Sequence, residues 1–448
     1  MPEANEVDVA VIGGGPAGAA TAAYLAKAGI DVVVCEGARF PRPHVGESLV
    51  PSAHRVFAEL GFLDVMEAAG FPRKYGAAWR VHGRGRVYSH DWTGLEGTAP
   101  RGSDVADVLF GERAQAGVDR DYTWHVDRAR FDQLLLEHAR GLGADVRMET
   151  RVIDVRFAPD SVHLRVEDEA GETELRARVV VDGSGRATVL GRRLGLRVTD
   201  PVFDQFALHT WFEGFDRGGD RPDYIWVHFL PETHTWLWQI PISETITSVG
   251  LVTQRALFRG AAAEREAFFD EMVSRVPAVQ QRLSRAERIR PLVAEADYSY
   301  AMRQVAGDRF VLVGDAARFV DPIFSSGVSV ALASARFAAA DLIEGLRAGR
   351  CDASAFARYS ATMQRGTSRW HRFITLYYRL NVLFTWFIQN PETRLGVLEL
   401  LQGDVFGEEE PAALEAMEAL VAEVEGNPDH VWHGLLENLT ADRLAPGW

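Results

Sequence analysis

The stretch VDVAVIGGGPAGAATAAYLAKAGIDVVVCE, residues 7 to 36, constrains the fold of this chain more than any other. An apolar run leads into Gly13, Gly15 and Gly18, an alanine-rich segment follows, and a second apolar run ends in Glu36. The spacing suits a phosphate. Gly13 allows a tight turn, Gly15 lets the backbone approach a pyrophosphate, and Gly18 permits close packing of helix on strand, while the helix N-terminus presents free N–H groups to the anion. Glu36 stands where an acid accepts a ribose hydroxyl and repels a 2′-phosphate. Strand, triplet, helix, strand and acid in register predict an α/β dinucleotide-binding fold.

At 448 residues the chain is too long for one compact core, which predicts two to three domains. A net charge of -15 argues against a general nucleic-acid binder, because phosphate neutralisation needs a basic surface. Cys35 and Cys351 form no metal or redox motif and no disulfide framework, so no metal is expected and a reducing cytoplasm fits. No basic region or long apolar run precedes VDVAVI, so no signal peptide is expected. FITLYYRLNVLFTWFIQ (373 to 389) carries Arg379 and Asn381 inside it and reads as a buried or lid-forming helix, not a membrane span.

Four further segments occur in a telling order: RFPRPHVGESLVP (39 to 51), HVDRARFDQLLLEHA (125 to 139), VVVDGSGRAT (179 to 188) and DRFVLVGDAARFVDPIFSSGVSVALASA (308 to 335). Together with the fingerprint they resemble the FAD-dependent monooxygenase superfamily over nearly the whole chain. The resemblance implies an FAD site made from Gly13, Gly15, Ala17, Gly18, Glu36, Arg39, Glu47, Ser48, Arg128, Gly314 and Asp315. Arg128 would lie near the FAD phosphates or ribose, Asp315 on the ribityl or ribose side, and Glu47 and Ser48 near the flavin. FVLVGD reads as a buried strand ending in an acid, and SSGVSVALASA as the start of a helix whose N-terminus can face an electron-rich ring or an anion. No second glycine fingerprint follows residue 50, so electrons are expected as free reduced FAD from a separate flavin reductase.

HTWLWQIPIS (234 to 243) puts Trp236 and Trp238 on one face if it is a strand. Alone, such a pair reads as a tryptophan-rich core strand. Among the FAD segments, W-x-W-x-I-P resembles the signature of flavin-dependent halogenases, carried here by Trp236, Trp238, Ile240 and Pro241. The resemblance implies that these residues stand between flavin and substrate and block direct oxygenation. It also implies that hypohalous acid is made from reduced FAD, O2 and chloride or bromide, with the halide near Ser326 and Gly327.

Only two of the 48 basic residues are lysines, Lys27 and Lys74. Lys27 falls late in the first helix, where a cation complements the macrodipole. Lys74, in FPRKYGAAW, matches the family's essential lysine, which either hydrogen-bonds hypohalous acid or forms a chloramine. An amine in an apolar site can lose its proton, whereas an arginine stays charged. Halogenases of free tryptophan carry a glutamate two residues before the Ser/Thr-Gly pair, and here that place is Phe324, which is expected in the substrate pocket. GVDRDYTWHVDR, EADYSY, DPIFSSGVSVAL, ITLYYRLNVLF and LLQGDVF…NPDHVWH are most similar to the pyrrolyl-carrier-protein halogenases. That similarity implies a 2-pyrrolylcarbonyl thioester on an acyl or peptidyl carrier protein, with a tethered phenolic ring or an aromatic hydroxylation as the alternatives. QRLSRAERIR (281 to 290) and QRGTSRWHRF (364 to 373) are candidate carrier-docking patches or solvated helix faces.

The fold expected is thus an α/β FAD-binding Rossmann-like domain of the aromatic-hydroxylase and halogenase superfamily. Residues 1–80, 115–197 and 298–345 are expected to form this discontinuous domain. Residues 81–114 and 198–297 read as an antiparallel-sheet substrate domain, and 346–448 as a C-terminal helical region able to act as a lid.

Overall fold

The computed structural model describes residues 5–81, 105–199, 203 and 205–436, less 220, 231, 233, 262–263 and 297–298. Residues 82–104, most of the first piece of the expected substrate domain (81–114), therefore lie outside the described residues, as do 437–448.

The opening run forms the strand Asn5–Ile12, the glycines turn, and the helix Pro16–Lys27 begins. Asn5–Ile12 pairs in parallel with Val32–Cys35 on one side and with Gly171–Asp182 on the other. Phe310–Leu312 and Asp145–Arg147 extend the parallel array, and Val162–Asp168 with Arg151–Phe157 adds an antiparallel flank. Strands covered on both faces need apolar residues at every position, not at alternate ones. Val9, Ala10 and Val11, Val33 and Val34, and Val179 to Val181 are all fully buried. The helix Ser326–Arg347 packs across Pro16–Lys27, as does Arg128–Gly141.

A second sheet is ordered Glu287–Arg288, Gln205–Glu213, Ile246–Gln254, Trp236–Pro241, Ile225–Phe229, Gly76–Val81, Val105–Leu109. It is antiparallel except where Ile225–Phe229 runs parallel to Gly76–Val81. The boundary expected at residue 80 thus falls inside a strand of the second sheet. Alternation sorts its side chains. Leu237, Val249 and Leu251 face a separate core with Phe268, Phe269 and Met272 of the helix Arg265–Ser274, while Trp236, Trp238 and Ile240 join the main core.

The C-terminal region is helical: Ala357–Arg379, Asn381–Gln389, Pro391–Leu401 and Ala412–Gly426. The stretch 373 to 389 is two buried helices that meet at Leu380, not one. Among the described residues one helix, Ser326–Arg347, is long and apolar enough to cross a membrane, and 67% of its most apolar window is buried inside the fold. The second docking patch is corrected by the packing. Arg369 is buried, donating to Glu410 and to the carbonyls of Val405 and Gly407, and Arg372 pairs with Glu410 and Glu418. These guanidinia fasten the helices together and are not free for a partner.

Gly18 shows how tightly helix and strand approach. A Cβ there would lie 1.9 Å from the carbonyl oxygen of Gly13 and 3.2 Å from Val11. Gly18→Ala is expected to cost about 3 kcal/mol, the upper end for overpacking, as backbone has to move to make room. Thermal melting and the visible spectrum of bound flavin should both register the loss.

Candidate functional site

A cavity of about 580 Å³ opens where the first strand ends, between the two sheets. Its floor is Gly13, Gly15 and Ala17, and its sides include Glu36, Glu47, Ser48, Arg128 and Asp315. Gly13 adopts a φ of +94° that other residues avoid, and at Gly15 a Cβ would meet only the Arg42 guanidinium, at 3.6 Å. The Glu36 carboxylate already accepts from the N–H of Gly14 at 2.7 Å and of Ala38 at 2.8 Å, which fixes it at the cavity edge with lone pairs to spare. Arg128 is held by a two-pronged bond to Asp132, at 2.7 and 3.0 Å. Gly18 and Gly314 do not line the cavity. Gly18 sits beneath it, and Gly314, at φ +59°, passes 2.8 Å from the Ala17 methyl group when given a Cβ. Arg39 is not on the wall either. Arg42, which the sequence reading passed over, takes that place, 3.9 Å from Glu36 and stacked on Phe40.

Two buried carboxyls face the far end. Burial pushes Glu47 up to about 7, against hydroxyl and indole donors from Ser248 and Trp211 and the Arg290 and Arg128 charges. Trp211 Nε1 lies 2.6 Å from Glu47 Oε1. Burial likewise pushes Asp315 up to about 6, opposed by Arg186 and Arg128.

Trp236, Trp238 and Ile240 form the wall opposite the glycines, with Pro241 ending their strand outside it. The two indole rings are 5.9 Å apart. Trp238 donates to Ser248 Oγ at 3.1 Å and Trp236 to Tyr378 Oη at 3.1 Å, so both indoles are held in place. Trp238 lies across Gly250, where an added Cβ would come within 2.2 Å of the ring. Gly250 could not be found from the sequence, because its role is set by the strand beside it.

At the other rim Ser325 takes a left-handed conformation (φ 58°) and the helix begins at Ser326. Ser325 and Gly327 line the cavity, while Ser326 turns its hydroxyl to the Asp321 carbonyl at 3.3 Å. The first N–H groups of a helix have no partner within it, so this end can hold an anion. Phe324 points away into an aromatic cluster, stacked on Phe373 at 4.6 Å and on Phe384 at 5.2 Å.

Lys74 lies beyond the cavity wall, in a two-residue strand paired with Thr123–Trp124. It is 2% exposed, a rare state for this side chain. Its Nζ donates to the Leu49 carbonyl at 2.8 Å and sits 5.2 Å from the Phe110 ring centre. Burial alone lowers its pKa from 10.5 to about 7. Lys27 bonds to the Glu59 carbonyl at the first helix's C-terminal end.

The FAD binding domain profile matches residues 6–370. A 1H-pyrrole-2-carbonyl-(peptidyl-carrier protein) chlorinase of Pseudomonas fluorescens is 48% identical over 99% of this chain and 99% of its own. A solved flavin-dependent brominase superposes with a TM-score of 0.80 at 27% identity, over 94% of this chain and all of its own. The chain belongs to the flavin-dependent halogenases. A 1H-pyrrole-2-carbonyl-(peptidyl-carrier protein) brominase of Pseudoalteromonas luteoviolacea is a further relative, 29% identical over 91% of this halogenase and 94% of its own length. FAD fits the residues of the cavity: Gly15 is open where a pyrophosphate would press, Glu36 has lone pairs for a ribose, and Arg128 offers a fixed cation.

Two expectations follow for this halogenase. A pKa moved from 10.5 to about 7 corresponds to at most on the order of 5 kcal/mol of destabilisation. The folded state disfavours the ammonium, so that cost is fully present below pH 7, shrinks as pH rises, and vanishes above 10.5. Lys74→Met should therefore raise the melting temperature, more at pH 6 than at pH 9. Gly250→Ala should displace Trp238 and lower the amount of FAD bound, measured by equilibrium dialysis.

Proposed function

We propose that this halogenase acts on an electron-rich aromatic acyl group, a 2-pyrrolylcarbonyl thioester, tethered to an acyl or peptidyl carrier protein, with chloride as the halide. The observation that carries the reading is a buried, uncompensated amine in a chain whose flavin cavity is lined by two tryptophans. Proton chemistry needs the amine, and the wall bars an aromatic ring from the flavin. Likeness to the Pseudomonas fluorescens chlorinase over nearly the full length of both chains supports the pyrrolyl substrate.

FAD, supplied reduced by a separate reductase, provides the two electrons that convert O2, halide and a proton into hypohalous acid and water. The chain's residues do the rest. The N–H groups of Ser326 and Gly327 hold the halide, and Trp236, Trp238 and Ile240 keep the ring away from the oxidant's source. Lys74 receives the hypohalous acid and donates an N–H to its oxygen. The ring's electron pair then forms the carbon–halogen bond as the oxygen–halogen bond breaks. Hydroxide leaves and is protonated to water, and the ring loses its proton. Phe324 supplies no carboxylate for that last step, which suits a pyrrole because its σ-complex deprotonates readily. A guanidinium at position 74 would be a buried charge with no carboxylate beside it, and it would retain every proton.

The division into an FAD domain, a substrate domain and a helical region serving as a lid belongs to this proposal, with Gly76–Val81 moved to the substrate sheet. So does a cytoplasmic site of action, consistent with two free buried cysteines. The test combines purified protein, a flavin reductase, NADH, O2, chloride and pyrrolyl-loaded carrier, and follows the carrier by mass spectrometry. Replacement of hydrogen by chlorine is expected; oxygen insertion without halogen would contradict the proposal. Lys74→Ala and Lys74→Arg should bind FAD normally yet lose at least about 100-fold in product, the scale of a removed transition-state contact.

A further inference from the structure

The patch that carries Lys74 holds another buried polar group. Ser48 and His125 are paired antiparallel, flanked by bonds from Leu49 N to Trp124 O at 3.0 Å and from Val126 N to Glu47 O at 2.7 Å. Bonds in those positions make Ser48 and His125 a non-hydrogen-bonded pair, whose side chains share a face with Cα atoms about 4.5 Å apart. Lys74 lies opposite Thr123, two residues before His125, and a period of two puts Thr123, His125 and Lys74 on one face. Diagonal neighbours of this kind are roughly 7–8 Å apart, which puts imidazole and amine within reach of one small shared molecule.

His125 is fully buried, and its Nε2 lies 2.9 Å from the Asp223 carbonyl oxygen. A carbonyl only accepts, so the ring proton is on Nε2 and Nδ1 offers a lone pair. Burial, with the Lys74 and Arg217 charges beside it, holds the ring's pKa well below its ordinary value and keeps it neutral. Nδ1 has no hydrogen-bond partner among the described residues. Lys74 uses one N–H on Leu49 and has another to give. A buried acceptor and a buried donor on one face suit a molecule with one O–H and one accepting oxygen. Hypohalous acid has both, and its halogen makes no hydrogen bond.

We propose that His125 is a second ligand of the hypohalous acid, accepting its O–H at Nδ1 while Lys74 donates to its oxygen, so that the halogen projects away from both. This rests on the reading of Lys74 as the delivery residue. Ser48 lines the flavin cavity and stands opposite His125, which marks where the oxidant enters. The binding step makes and breaks no covalent bond. Two hydrogen bonds fix the direction of the oxygen–halogen axis, where one leaves it free to rotate.

The test compares His125→Phe and His125→Asn in the full enzyme with reductase and pyrrolyl-loaded carrier. Flavin oxidation should stay within about twofold of wild type in both variants. In His125→Phe, product per reduced FAD should fall at least about tenfold, a lost buried hydrogen bond, with hypohalous acid appearing in a soluble trap instead. His125→Asn, whose amide oxygen can replace Nδ1, should recover to within about threefold of wild type, as expected for a restored acceptor. Full product in His125→Phe would overturn the proposal, as would His125→Asn behaving like His125→Phe. Failure of the lysine reading shows separately, as undiminished product in Lys74→Ala. In wild-type protein, nitrogen NMR of labelled histidine should place the His125 proton on Nε2 between pH 6 and 8. A proton on Nδ1 would overturn the proposal whether or not the variants fold.

Discussion

Gly18 and Gly13 approach so closely that one methyl group on Gly18 would overlap a carbonyl oxygen, and Gly183, just past the end of the neighbouring strand, lies against the same point. This contact between bare backbones sets the depth of the first helix on its sheet. It thereby sets where the helix N-terminus points and where the cavity floor lies. Every later element is placed relative to that floor: the Ser326–Arg347 helix crosses Pro16–Lys27, and the second sheet brings its tryptophan face to the open side.

The buried titratable groups fall into two surroundings of different character. The flavin side has cations, carboxyls raised by burial and free helix N–H groups, all suited to an anionic cofactor and a halide. The lysine side is nearly without charge compensation: burial alone lowers the pKa of Lys74. A buried amine destabilises the fold, so its presence there is more easily understood by reactivity than by packing. Trp236 and Trp238, each pinned by its own N–H, line the flavin side as ordered indoles that are not free to swing.

Most of the cofactor cavity was legible in the sequence because its parts are local. A glycine turn, an acid at a strand end and a strand alternating indoles each carry their own geometry over a few residues. Less legible were contacts fixed by distant chain. Arg42, not Arg39, reaches the cavity because the loop's direction is decided by Glu36 and Asp132. The Ser325 turn moves the lining from Ser326 to its neighbours, a consequence of one left-handed residue. Arg369 and Arg372 looked like a free basic face until Glu410 and Glu418, about 40 residues on, closed over them. The side of Lys74 facing His125 follows from strand pairing that no single segment announces.

The proposed delivery step requires Lys74 to release its proton near neutral pH, and the composition of the chain makes this directly measurable. With only two lysines, labelling them with carbon-13 at the ε position gives two resonances, and Lys74→Met removes one. The resonance of Lys74 should titrate near 7 in the folded protein. Titration near 10.5, the value of a solvated lysine, would contradict the account.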